Sequence, residues 1–175
     1  MALKLGPLTI PWPATSHRDD PYWDLFMNRQ PADPNNLVAH VMAKAPDGNV
    51  NPVRADLHTP EITATHIREF ADFVGAEFVG IVKTENEPLP FAIVCGVPTD
   101  HDPASSPGVG GQMPAVNTQY VSFIIAAYIR ELGYQASAAV DPTTRTLAAR
   151  AGLTPTRSIY VSEVIRTDLP LAADA

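Results

Sequence analysis

The sequence predicts an α+β domain, a mixed sheet with helices packed on it, behind an irregular proline-rich arm. Three observations point there. Of its 175 residues, 45% are hydrophobic and 18% charged, the balance of a chain that builds a core rather than staying disordered. Two segments carry apolar residues at helical spacing between cap signals. Around them lie short runs of β-forming residues. The expected division is an arm over 1–52 and a single domain over 53–175.

The arm carries prolines at close intervals in "PLTIPWPATSHRDDPYWDLFMNRQPADPNN". The whole chain has 18 prolines, where usage of about 5% would give roughly 9. Tyr22, Trp23, Leu25, Phe26 and Met27 form an apolar knot, read as a helical turn opened by Asp20 with Pro21 at its first position. Such a knot needs a surface, either the domain's own body or a second subunit. "NLVAHVMAK" reads as a short strand or helix, and "APDGN" as a turn.

The domain opens on a strong helix signal, "HTPEITATHIREFADFVGAEFVGIV". Thr59 is the N-cap, Pro60 takes N1, and Glu61 complements the helix dipole. Ile67, Phe70, Ala71 and Val74 follow at helical spacing, and Gly75 ends the helix. "AEFVGIVK" is a strand. "PFAIVCGV" lacks polar alternation, which predicts a strand covered on both faces. A long loop over 98–116 follows, of a length usually tied to function. The next helix runs from Asn117, its cap candidate, to Gly133. It is apolar nearly all round, so its own domain or a partner buries it. "YQASAAV" is a strand. "DPTTRTLAARAGL" is a short helix with Asp141 as cap and Pro142 at N1. "SIYVSEVIR" is the final strand, with Ile159, Val161 and one of Val164 or Ile165 facing inward.

Bulk properties narrow the function. A net charge of -7 argues against nucleic acid as a partner, because phosphate binding needs clustered Lys and Arg. The single cysteine, Cys95, makes no internal disulfide, Cys-rich zinc site or iron–sulfur cluster. No apolar run approaches the ~20 residues of a membrane span, and "MALKLGPLTIPWP" has no apolar leader core. The expectation is a cytoplasmic protein with no membrane partner.

Few residues advertise chemistry. His17, His40, His58, His66 and His101 fall in no metal-binding spacing, so no metal is expected. Asp100 and Asp102 flank His101, which reads either as a cation or imidazole-tuning site or as a solvated turn. "SSPGVGGQMP" matches no phosphate loop and reads as flexible. Cys95 reads as a small buried hydrophobe without a local base. Tyr120 is either a core tyrosine or a phenol able to donate a proton to a reacting anion. Asp141 is either a helix cap or an acid facing a pocket.

Five segments in order resemble the corrinoid-binding reductases, the group of the reductive dehalogenases and epoxyqueuosine reductase. They are "PEITATHIREFADFVGAEFVGIV", "FAIVCGVPTD", "NTQYVSFIIAAYIRELGYQA", "LAARAGL" and "VIRTDLPL", and they cover about residues 59–171. The resemblance implies a nitroreductase-like core, often a homodimer, that holds a cobamide (cobalamin or a relative). It implies Tyr120 as proton donor by analogy with the dehalogenases, or Asp141 by analogy with epoxyqueuosine reductase. The chain departs from the pattern in two places. "TPTRSIYVSE" is shorter than the family's glycine-rich segment, and no cysteine-rich region follows "TDLPL". The expectation is therefore a reductive-dehalogenase-like corrinoid protein without its own iron–sulfur clusters, served by a separate ferredoxin-type donor or acting as a cobamide carrier. Two alternatives stand beside it. One is a non-catalytic dimeric remnant with an interaction role. The other is an FMN-dependent nitroreductase-like enzyme using some of Arg68, Arg130, Arg145, Arg150 and Arg157.

Overall fold

A computed structural model of the chain describes residues 2–5, 8–11, 21–25, 29–33, 38–99, 107–153, 159–161 and 163–174. Elements follow in the order β1 (Ala2–Leu5), β2 (Leu8–Pro11), α1 (Pro21–Asp24), α2 (Val38–Met42), α3 (Pro60–Phe73), β3 (Phe78–Lys83) and β4 (Phe91–Pro98). Then come α4 (Met113–Glu131), β5 (Ala136–Val140), α5 (Thr144–Arg150), β6 (Ile159–Tyr160) and β7 (Glu163–Thr167). The main sheet has the order β3-β4-β7-β5, with β6 paired to β4. The α+β class is as expected. The expected mixed sheet differs from what forms: every ladder among the described residues is antiparallel.

The arm holds more regular structure than its prolines suggest. β1 and β2 pair as an antiparallel hairpin, Leu5 opposite Leu8. The turn at Pro21 forms as α1, and "NLVAHVMAK" resolves into the helix α2. Of the apolar knot, Tyr22 and Leu25 are exposed, and Phe26 and Met27 lie outside the described residues. The stretch across 52/53 is tied to α4: the Asn51 amide donates to the Arg130 carbonyl at 2.9 Å and the Ala55 amide to that of Leu132 at 3.0 Å.

Sheet faces explain the hydrophobic pattern. Ile81, Ile93, Cys95 and Ile165 meet Ile67 of α3 and Val121, Ile125 and Ile129 of α4 on one face. Val82, Ala92, Val94 and Val164 meet Leu147 and Ala148 of α5 on the other. β4 feeds both layers, and Ala92 to Val97 are all buried, so polar alternation has no place in it. Each fully buried Ile or Val contributes about 1.5–3 kcal/mol of transfer free energy. The segment after β7 belongs to the same core, with Leu169 and Leu171 buried.

α3 begins as its sequence requires. Thr59 is the N-cap and its hydroxyl accepts from the Ile62 amide at 3.5 Å. Gly75 takes φ +108 just past the end. α4 differs from expectation. It starts at Met113 after a 3-10 turn over Val109–Gln112, so Asn117 sits inside the helix. Pro114 explains the earlier start, since proline suits a first turn that needs no amide donor. Of the two ways to bury α4, its own domain covers only part of it. Thr118, Val121, Ser122, Ile125 and Ile129 are buried, whereas Tyr120, Phe123 and Tyr128 keep 52%, 41% and 37% exposure.

The expected final strand is two strands joined through a bulge. Val97 pairs with Tyr160, but Val94 pairs with Val164. Between these two pairs β4 has two residues and the returning chain has three, so the register shifts by one. An extra residue in one strand switches which face its side chains take. Tyr160 and Ile165 consequently both pack in the α4 layer, and Val161 and Val164 both pack in the α5 layer. The shift turns Glu163 toward α4.

Candidate functional site

Three places on this scaffold bear on chemistry. The first is a trough of about 400 Å³ between α5 and β6, lined by Arg145, Ala148, Ala149, Leu153, Ile159, Tyr160 and Val161. Arg145, Ala148 and Ala149 fall on one side of α5 because positions three and four apart share a helix face. α5 can lie this low because β3 offers a glycine beneath its end. A Cβ built on Gly80 would stand 2.2 Å from that of Ala151. The floor is made of small apolar side chains.

The second place is the start of α5. Asp141 is not its N-cap; that position is Thr143. The Asp141 carboxylate instead accepts from the Thr143 amide at 2.7 Å and the Thr143 hydroxyl at 2.5 Å, a turn of the Asx kind. Its other oxygen accepts from the Arg166 guanidinium at 2.7 Å. Arg166 also donates to the Thr84 hydroxyl at 3.2 Å. The hydrogen bonds from Thr143 and then Arg166 hold the Asp141 carboxyl down at about 2. At neutral pH it is ionised, an acceptor and anchor for the turn.

Tyr120 lies elsewhere, on the outer face of α4, half-exposed. No hydrogen bond or ion pair among the described residues joins it to Asp141, and neither residue lines the trough.

The third place is the one sequence reasoning missed. A cavity of about 120 Å³ sits under α4, lined by Met42, Asp47, Gln119, Phe123, Arg130 and Glu163, with alanines between them. Glu163 and Gln119 are 4% and 6% exposed. Burial pushes the Glu163 carboxyl up, and a hydrogen bond from Gln119 offsets this in part. The signal available was slight: Gln119 and Glu163 are polar residues bordering apolar stretches.

The remaining candidates scatter. His58 and His66 meet edge to face with centroids 5.8 Å apart, and among the described residues no group of three His, Cys, Asp or Glu could hold a metal ion. Asp100, His101 and Asp102 lie outside the described residues, as does most of the shortened 153–163 segment. Of the arginines weighed for FMN, Arg68 pairs with Asp174 at 2.5 Å. Arg130 donates to the Ala136 carbonyl at 2.8 Å, Arg150 to that of Lys83 at 3.2 Å, and Arg145 lines the trough. Arg157 lies outside the described residues. Cys95 is fully buried and its thiol is pushed up to about 12 by burial. Among the described residues no helix is long and apolar enough to cross a membrane.

No protein-family model matches the chain, and no curated protein matches it. Solved structures do. The catabolic reductive dehalogenase NpRdhA matches with a TM-score of 0.64 at 21% identity, over 84% of this chain and 26% of that one. The same protein in complex with 3-bromo-4-hydroxybenzoic acid matches at 0.62 and 23%, over 77% and 23% of the two chains. A reductive dehalogenase whose structure suggests a mechanism for B12-dependent dehalogenation matches at 0.66 and 22%, over 85% and 25%. The chain spans about a quarter of the length of these proteins. What it shares with the reductive dehalogenases, over most of its own length, is their fold.

Proposed function

We propose that this chain is a reductive-dehalogenase-like domain that binds a corrinoid, cobalamin or a related cobamide, at the trough between α5 and β6. The likeness of fold over 84% of the chain carries the reading. The trough fits one part of such a group. Ala148 and Ala149 give a flat apolar floor, Ile159 and Val161 wall it, and Arg145 offers donors to amides at a ring edge. Its volume of about 400 Å³ seats one face of a corrin ring and not the whole group.

When bound, the cobalt supplies the reducing chemistry. The chain's own residues bind and position. Asp141 holds Arg166 and the α5 turn in place, so its role here is positioning. Tyr120, exposed on the outer face of α4 and absent from the trough lining, is too far removed to protonate a substrate held at the trough. Cys95, buried and protonated, is unsuited to ligate a cluster. Electrons would come from a ferredoxin-type donor. The nitroreductase-like character of the sheet belongs to this same proposal.

A visible-absorbance titration with hydroxocobalamin, run beside a thermal-shift assay, tests it, with FMN as the competing ligand. The reading expects a spectral change and a raised Tm with the corrinoid and none with FMN. No response at saturating corrinoid sinks it, and a response to FMN alone transfers the reading to the flavin enzymes.

One observation favours a second reading, a non-catalytic homodimer. Tyr120, Phe123 and Tyr128 leave aromatic surface on the outer face of α4, and aromatic residues are enriched at interfaces. Sedimentation equilibrium separates the two: a dimer that ignores corrinoids supports the second, and a monomer opposes it.

A further inference from the structure

The cavity under α4 is not part of the trough. Its walls come from the α4 layer, whereas Ala148 belongs to the α5 layer across the sheet. Its chemistry is unbalanced. Arg130 is occupied, donating to the Ala136 carbonyl at 2.8 Å and standing 3.7 Å from the Asp47 carboxylate. Among the described residues no salt bridge reaches Glu163. Gln119 lines the cavity beside Glu163, and its Oε1 is buried without a partner. A buried acceptor left empty costs about 1–3 kcal/mol. The chain thus keeps a carboxyl and an amide oxygen in a cavity whose other walls are Met42, Ala45, Phe123, Ala126 and Ala138.

We propose that this cavity is a binding site for a small monocationic amine, an ammonium group on a short apolar stem. The ammonium donates to the Glu163 carboxylate and to Gln119 Oε1, and the stem packs against Phe123 and Met42. The charges agree: Asp47 answers Arg130, and the ligand answers Glu163. Size agrees too, since a cavity of about 120 Å³ takes a compact organic molecule of a few heavy atoms and nothing larger. α2 and the residues after it form the outer wall, so the segment over 42–47 is the side from which a ligand enters. The bulge before β7 makes the site, because it aims Glu163 at α4.

Isothermal titration calorimetry with n-butylamine and with 1-butanol, its near-isosteric neutral counterpart, tests this on the full chain. The amine saturates at one site per chain, and the alcohol binds about tenfold more weakly or not at all. Glu163→Gln weakens the amine by about tenfold, and Ala126→Leu, which fills the cavity, abolishes it. Absence of saturable binding by the amine overturns the proposal. So does equal binding of the alcohol, or an unchanged affinity in a folded Glu163→Gln protein. Should either variant fail to fold, the amine-against-alcohol comparison on the unsubstituted protein decides alone. The result is independent of corrinoid binding.

Discussion

The Arg166 guanidinium stands 2.7 Å from the Asp141 carboxylate, and this pair fastens the turn that opens α5 to strand β7. Its pH dependence follows from the depressed carboxyl. The Asp141 value falls from 3.8 to about 2 on folding. The stabilisation is therefore present above pH ~4 and is lost as pH falls toward 2. The side chain is 22% exposed, so solvent screening reduces its worth to about 1 kcal/mol. Asp141→Asn should lower the unfolding free energy measured by urea titration at pH 7 by that amount, with the gap to the unsubstituted protein closing between pH 4 and 2.

Glu163 has the opposite sign. Its carboxyl is raised by burial, so folding favours its protonated form. That contribution is present at low pH and is lost as pH rises through the folded value. Glu163→Gln removes the penalty. Urea titrations at pH 5 and pH 8 should find the variant gaining relative to the unsubstituted protein as pH rises. A gap that does not change with pH would contradict the burial seen here.

Gly80 allows α5 to lie close to the sheet. Gly80→Ala places a methyl 2.2 Å from the Ala151 Cβ, so the helix or the strand must move. Overpacking of this kind costs about 1–3 kcal/mol. Thermal denaturation should show that loss, and corrinoid affinity should fall with it because α5 forms the trough floor.

Cys95, fully buried with its thiol pushed up to about 12, should not react with a disulfide reagent in the folded protein. Labelling should appear only as urea unfolds the chain. Rapid labelling at zero urea would mean that β4 opens locally.

Much of this was legible in the residues. Thr59, Pro60 and Gly75 mark α3 because cap chemistry is local. The unbroken apolar run of β4 announced burial on both faces. Three things were not legible, each because it depends on partners distant in sequence. The earlier start of α4 is hidden by Gly110 and Gly111, which read as loop. The outer exposure of Tyr120 depends on which neighbours α4 finds. The bulge left a trace in "SIYVSEVIR": Val161 and Val164, an odd spacing apart, pack on the same face, which a regular strand forbids. Glu163 becomes visible as a site residue only once that break in period is accepted. Tyr120 and Asp141 were candidates on residue type and took their specific roles from the resemblance, and the fold sets them in separate surroundings.

Retention of a corrinoid tests the central claim most directly. The protein is mixed with excess cob(II)alamin under reducing, oxygen-free conditions and passed through gel filtration, beside Ala149→Trp, which fills the trough from an exposed helix position. Our account expects the unsubstituted protein to carry close to one cobalt per chain and the variant to carry about a tenth as much, at unchanged Tm. Elution of both without cobalt, or equal retention by the two, would contradict it.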